Sequence, residues 1–253
     1  MRREHAAPRT ARRRVRRPGA VAAPRVAGAA AVTGAGGLAP RLLAALDRFH
    51  AARPWDHNAH YHRAILRRLP RRPGPVLDVG CGSGDLARLL ARRASAVTAI
   101  DADPGIVARA REASPAAAVT FTVADALDRE AAPGPYTAVT CVAVLHHLPL
   151  AEAFASFRAR LAPGGVLVVV GLYRETTPAD RAVSLLALLA NTAIAWAKHP
   201  VAGTSPRPLA MTARTRPAQV GLAQIRRTVQ EVLPGARVRR RLFWRYVLEW
   251  KRP

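Results

Sequence analysis

The sequence predicts an α/β fold built on a doubly wound, mostly parallel sheet, and three observations carry that prediction. First, the apolar run Val76–Val79 follows a Pro/Gly break and leads through Gly80, Gly82 and Gly84 into a helical pattern that begins at Asp85. Second, short β-rich runs alternate with helical stretches along the rest of the chain, at Ala96–Ile100, Val119–Val123, Tyr136–Val144 and Val166–Val170. Third, Val166–Val170 (VLVVV) is a continuous apolar run, as expected of a strand covered on both faces. With 253 residues and 50% hydrophobic content the chain is long enough for one large core, so a single domain is expected.

The turn at residues 78–85 (DVGCGSGD) is the most informative stretch. It places glycines at a strand-to-helix turn, where backbone without Cβ atoms lets a ligand lie against the chain at a helix N-terminus. Asp78 precedes them at the carboxyl end of the strand, where open α/β sheets bind their ligands. The spacing is G-x-G-x-G, one residue short of the dinucleotide fingerprint, and Asp85 stands where that fingerprint needs its third glycine. An acidic side chain there suits a pyrophosphate poorly, so the pattern favours a phosphate-free ligand. Taken alone, the turn also fits a glycine-rich connection with no ligand.

Composition narrows the function classes. The two cysteines, Cys81 and Cys141, cannot build a disulfide framework, and no N-terminal signal core is evident, so a cytoplasmic location is expected. The formal charge is +24, yet of 40 basic residues only Lys198 and Lys251 are lysine. Such an arginine bias beside abundant Ala, Gly and Pro matches GC-rich codon usage, which makes the charge weak evidence for a nucleic-acid partner. Aromatic residues are only 5%, few for stacking on single strands. The segment after the fourth strand has no Asn/Asp-Pro-Pro-aromatic turn for a flipped adenine and no Pro-Cys pair for cytosine.

Residues 1–37 read as a disordered basic extension, with nine arginines against Glu4 in the first 31 positions and no apolar periodicity. A basic arm for RNA, a targeting peptide and a true start at Val32 are the open readings of that segment. Residues 38–253 form the expected domain. Helical patterns at 40–53 and at Trp55–Leu69 are separated by Pro54. In the second of these, His57 and Tyr61 share a face at i,i+4, whereas His60 and His62 diverge, an awkward arrangement for a three-His metal site. No metal is expected.

Asp101 ends the second strand 21 residues beyond Gly80, the spacing at which a carboxylate accepts from both hydroxyls of a ribose. Asp103, ahead of Pro104, reads as a helix cap, and Asp125 follows the third strand. The fourth strand runs into Leu145-His146-His147-Leu148, and Ala162-Pro163-Gly164-Gly165 precedes the fifth. For Asp101 and Asp125 the alternative is a loop cap.

The pattern D-x-G-x-G-x-G, with Asp101, Asp125, "LHHL" and "APGG" following in order, resembles the class I S-adenosylmethionine-dependent methyltransferases, in particular the small-molecule branch of quinone and lipid biosynthesis. The resemblance covers residues 76–170. It implies a Rossmann-like, seven-stranded sheet of order 3-2-1-4-5-7-6, with an N-terminal helical cap (38–72), a cofactor-binding core (73–172), a helical insertion (174–217) and a C-terminal helix and hairpin (218–253). It implies S-adenosylmethionine as cofactor, held by Asp78, Gly80, Cys81, Gly82, Gly84, Asp101, Ala102, Asp125, Ala126 and Val142, with Asp125 on the adenine amino group and Val142 at the methionine end. His57 and Tyr61 of the cap become candidate substrate-pocket residues, with plain packing as the alternative. His146 or His147 becomes a candidate general base on a hydroxyl acceptor, since imidazole titrates in the right range, or else packs beneath the site. The expected partner is a small-molecule acceptor, with nucleic acid and a non-catalytic cofactor-binding module as the rival readings.

Beyond Arg174, Ala182–Ala197 is sixteen residues without a charge, too short for a comfortable membrane span. It is expected to be a buried helix or a lid over the substrate pocket, with an interfacial helix as the second reading. Residues 199–217 read as a Pro-rich loop and Ala218–Leu233 as an amphipathic helix. Ala236–Lys251 then alternates like an antiparallel pair whose turn carries no Gly or Asn. Arg239-Arg240-Arg241 reads as a solvated edge.

Overall fold

In the computed structural model, which describes residues 38–115, 118–203, 208–212 and 216–253, seven strands form one sheet. They are β1 (Pro75–Val79), β2 (Ala96–Asp101), β3 (Val119–Val123), β4 (Tyr136–Val142), β5 (Leu161–Leu172), β6 (Arg237–Arg241) and β7 (Arg245–Lys251), in the order β3-β2-β1-β4-β5-β7-β6. The first five pair in parallel, and β7 inserts antiparallel between β5 and β6. The sheet order is the one that the family resemblance implies. The extension at 1–37 lies outside the described residues.

Strand alternation explains why the strands are so apolar. Leu77 and Val79 of β1 and Leu167 and Val169 of β5 pack on one face, against Phe154 and Phe157 of α5 (Leu150–Arg160) and Ile225 and Val229 of α7 (Leu222–Val232). Val76, Val168 and Val170 point the other way, against Ile65 of α2 (His57–Arg68), Leu86 and Leu90 of α3 (Asp85–Ala91) and Ile106 of α4 (Pro104–Glu112). With helices on both faces the last four positions of VLVVV are buried and Val166 half-buried, and each buried Val or Leu contributes about 1.5–3 kcal/mol.

Strand β5 is longer than the sequence reading, because the strand pattern runs through Ala162–Gly165. The pairing still shifts there: Leu161 faces Tyr136, and regular register resumes only at Val166 opposite Ala138. The "APGG" residues are therefore a bulge in an interrupted strand, with Gly164 at φ +73°. In the C-terminal hairpin Arg241 pairs with Arg245, and Leu242, Phe243 and Trp244 make the turn. Phe243 and Trp244 have φ of +57° and +59°, left-handed geometry costing roughly 1–2 kcal/mol per residue. Phe243 offsets that cost by burying its ring 5.1 Å from Trp55 and 5.2 Å from His60. This packing is why the turn dispenses with Gly and Asn.

Two expectations need correction. The triple arginine is not simply a solvated edge: Arg239 is exposed on edge strand β6, but Arg240 forms a 2.7 Å ion pair with Asp180, which is buried. Nor is the uncharged run Ala182–Ala197, which forms most of α6 (Pro178–Lys198), buried. It turns Ala187, Asn191 and Ala195 inward and Leu185, Leu186 and Leu189 outward, and none of its residues lines the large cavity described below. The inward face is small and polar because it receives a hydrogen-bond network: Trp55 Nε1 and His57 Nε2 both donate to Asn191 Oδ1 at 2.8 Å. His50, near the end of α1 (Leu38–Ala51), meets Thr192 Oγ1 at 3.1 Å.

Candidate active site

A cavity of about 760 Å³ opens at the carboxyl ends of the parallel strands, large enough for a cofactor and a small acceptor together. Its floor is the glycine turn. Gly80 N and Cys81 N both donate to Ile100 O, at 2.7 and 3.0 Å, which bends the chain back over β2 immediately after β1. Gly80 has φ +69°, and a Cβ there would lie 2.0 Å from Val144 Cγ2, so only glycine fits. Gly82, at φ +52°, has open space where its Cβ would project, so the backbone itself is the cavity wall. Gly84 N-caps α3, also in left-handed geometry.

The three aspartates sit at different depths. Asp78 is only 2% exposed. Its Oδ1 accepts from Thr140 Oγ1 of the neighbouring strand at 2.7 Å, and its Oδ2 is buried without a partner. Burial pushes its carboxyl up to about 7, against the Thr140 hydrogen bond and with a smaller push from Asp101. A buried carboxylate oxygen left without a donor beside a cavity calls for a cationic group. Asp101 is braced instead: its Oδ2 accepts from Gly82 N at 2.9 Å and its Oδ1 from Asp103 N at 3.0 Å. Both of its oxygens retain lone pairs for hydroxyl donors. Asp125 lines the cavity beyond β3 and also accepts Leu127 N on Oδ1 at 2.7 Å, so it is a loop cap and a wall residue at once. Asp103 caps α4 through Gly105 N and Ile106 N. Cys81, Ala102, Ala126 and Val142 complete this side of the wall. Burial raises the Cys81 thiol, which stays protonated.

The opposite side is made by the start of α2 and by the segments after β4 and α6. Asp56 N-caps α2 by accepting Asn58 N at 2.7 Å, and Asp56, Asn58 and His62 line the cavity with His147, Leu148 and Arg216. Asn58 is held by Arg245 of β7, whose Nε and Nη2 donate to Asn58 Oδ1 at 3.3 and 2.9 Å. Burial lowers the Arg245 guanidinium to about 10, so it remains charged at neutral pH. With Oδ1 occupied, the donor end of the Asn58 amide is what it has to offer a ligand.

The structure separates the histidine and tyrosine candidates. His147 lines the cavity; His146, stacked on it with ring centroids 3.9 Å apart, does not, and both its ring nitrogens are buried without partners. Burial, with the neighbouring His147 and Arg245, brings His146 down to about 4. His57 and Tyr61 are not in the large cavity either. His57 is committed to Asn191 and the Phe243 ring, and Tyr61 donates to Leu242 O at 2.7 Å and borders a separate hollow of about 540 Å³. They tie α2 to α6 and to the hairpin, while their helix presents Asp56, Asn58 and His62 to the cavity instead. The sequence reading missed those residues, Thr140 and Arg216. Only Asp56 had a local signal, as an acid ahead of a helical pattern.

Comparison with known proteins settles the family. The Methyltransferase domain family matches residues 76–165. An uncharacterized methyltransferase of Mycobacterium tuberculosis is 34% identical over 201 residues, 79% of this chain and 98% of the relative. The chain is a class I S-adenosylmethionine-dependent methyltransferase. A ubiquinone biosynthesis O-methyltransferase of Xanthomonas campestris is similar to part of this methyltransferase, with 40% identity over 117 residues, 44% of this chain and 47% of that one. Among solved structures, the N-methyltransferase NodS of Bradyrhizobium japonicum in complex with S-adenosylhomocysteine aligns at TM-score 0.52 and 18% identity, over 83% of this chain and 97% of that one. The PH0226 protein of Pyrococcus horikoshii aligns at 0.53 and 17%, over 76% and 88%. Both show the same fold as this methyltransferase.

The cavity fits the family's cofactor. The unpartnered Asp78 Oδ2 suits an ammonium, the braced Asp101 carboxylate suits a pair of hydroxyls, and the Gly82 backbone leaves room for a ligand against the turn.

Proposed function

We propose that this methyltransferase methylates a small-molecule acceptor bound between the glycine turn and the start of α2. The observation that carries the reading is the two-sided cavity, with carboxylates and bare backbone on one side and Asn58, His62, His147 and Arg216 on the other. About 44% of this chain is also similar to the Xanthomonas relative, whose name records O-methylation in ubiquinone biosynthesis.

When bound, S-adenosylmethionine supplies an electrophilic methyl group on a sulfonium. Asp101 would accept from the ribose hydroxyls, Asp125 would face the adenine end and Asp78 would hold the methionine ammonium. Gly80, Cys81, Gly82 and Gly84 provide the backbone surface, and Ala102, Ala126 and Val142 exclude water. On the acceptor side, Asn58, fixed by Arg245, orients an oxygen of the acceptor with its amide N–H. His147 accepts the proton that a hydroxyl acceptor releases. Burial, reinforced by the Arg216 charge, lowers its pKa and keeps its imidazole neutral and able to do so. Alignment and shielding from water are the protein's main contributions, with no covalent protein intermediate.

The test is incubation of the protein with methyl-labelled S-adenosylmethionine, a metabolite extract and, separately, total RNA. Label in the small-molecule fraction is expected. Label in RNA alone, which the +24 charge would favour, overturns the assignment.

A further inference from the structure

Helix α6 is inside out. Ala187, Asn191 and Ala195 face the protein, while Leu185, Leu186 and Leu189 are 60%, 59% and 62% exposed and Trp196 is 61% exposed. At 100° per residue these four, with the exposed Ala182 and Ala193 between them, occupy one continuous stripe. The stripe contains no charge, and the only acid in the helix, Asp180, is buried and paired with Arg240. Helix α1, joined to α6 through His50, also exposes a leucine, Leu42, at 67%. Scattered exposed leucines need no explanation, but an ordered stripe of them on a helix that buries its alanines does.

The borders of the stripe indicate its partner. Arg181 is exposed beside the stripe near the start of α6, and Arg41 and Arg48 are exposed on α1, where Asp47 is the one exposed acid; Lys198, at the other end of α6, lies over the Trp55 ring instead. The chain as a whole carries +24, and nine arginines precede α1 in the sequence. A second copy of the chain would bring like charges together around the stripe. An anionic bilayer supplies the opposite charge at the rim and an apolar layer for the leucines, with Trp196 at the level of the headgroups. No helix among the described residues is long and apolar enough to cross a membrane, which fits a helix lying in the surface.

We propose that the outward face of α6 docks this methyltransferase on an anionic lipid surface. The proposal does not depend on which acceptor is methylated. It is tested with the full chain and vesicles of phosphatidylglycerol mixed with phosphatidylcholine in equal parts, by co-sedimentation and tryptophan emission. Trp55 and Trp250 are buried and Trp244 half-buried, so a blue shift on binding reports Trp196 and is lost in Trp196→Phe. The paired variant Leu185→Ser, Leu189→Ser should partition about tenfold or more weakly while binding S-adenosylhomocysteine as the wild type does. Quenching of the wild-type emission by brominated acyl chains checks insertion without any variant. Three results overturn the proposal: no binding to these vesicles; equal binding by the serine variant, which leaves bulk charge as the cause; or a dimer in solution that the serine variant dissociates, which makes a second copy the occupant.

Discussion

The two sides of the cavity are built by different means. The cofactor side is assembled from the ends of three adjacent parallel strands, and its chemistry lies in short local signals: glycines at fixed spacing and one aspartate per strand end. The acceptor side is assembled from α2, the segment after β4, the stretch after α6 and, indirectly, β7. Its central polar residue, Asn58, is set by an arginine 187 positions away. A site made from strand ends inherits its geometry from sheet pairing, since Asp78 lies opposite Thr140 because the strands pair in that register. A site made from inserted helices has to be fixed by side-chain contacts specific to this chain.

The contrast is broken or sharpened by variants that should each disturb one side only. The largest effect is expected from Gly80→Ala. The new Cβ combines a positive φ with a contact at 2.0 Å from Val144, together costing a few kcal/mol, so S-adenosylhomocysteine should bind on the order of a hundredfold more weakly by calorimetry. Binding within a few-fold of wild type would mean that the turn yields and does not define the site.

A smaller effect follows from Asp78. Its carboxyl lies at about 7 in the fold against 3.8 for the free side chain, with burial as the main cause. The folded chain therefore keeps a proton that the unfolded chain gives up. In that state Asp78 withdraws stability as the pH rises from about 4 to about 7. An ammonium beside the carboxylate favours the ionised form. Cofactor affinity should thus rise about tenfold between about pH 6 and pH 8, with proton release at the lower pH, seen by calorimetry in buffers of different ionisation heat. Asp78→Asn should flatten the profile; a profile unchanged by that substitution would place the ammonium elsewhere.

The smallest effect belongs to the acceptor side. Asn58→Ala should raise the acceptor KM about fivefold, the equivalent of one hydrogen bond, while leaving S-adenosylhomocysteine affinity unchanged. A change in cofactor affinity of the same size would show that the two sides are not separate.

This division also explains what the sequence made legible. Whereas the sheet order followed only from the family resemblance, the glycine turn and the strand-end positions of Asp78, Asp101 and Asp125, all of which line the cavity, were readable because each depends on residues close to it along the chain. Asn58, His62 and Arg216 were not, because nothing near them in sequence marks them as facing a cavity, and the histidines of the same helix drew attention to His57 and Tyr61. Helix α6 misled for a physical reason. An uncharged run reads as buried, yet burial was decided by which face is small enough for close approach and carries Asn191 to meet Trp55 and His57. The polar Asn191 and Thr192 in the middle of that run were the available signal. The turn at Phe243 was likewise hidden, since a left-handed aromatic residue is held there by tertiary packing that no local rule anticipates.

The central claim is that the cofactor's sugar rests on the carboxylate at the end of β2, and calorimetric titration of S-adenosylhomocysteine into wild type and Asp101→Ala tests it most directly. We expect one-to-one binding by the wild type and a loss of about 1.5–3 kcal/mol in the variant, the value of charge-assisted hydrogen bonds to a carboxylate. Equal affinity in the two proteins, or no binding by the wild type, would contradict the account.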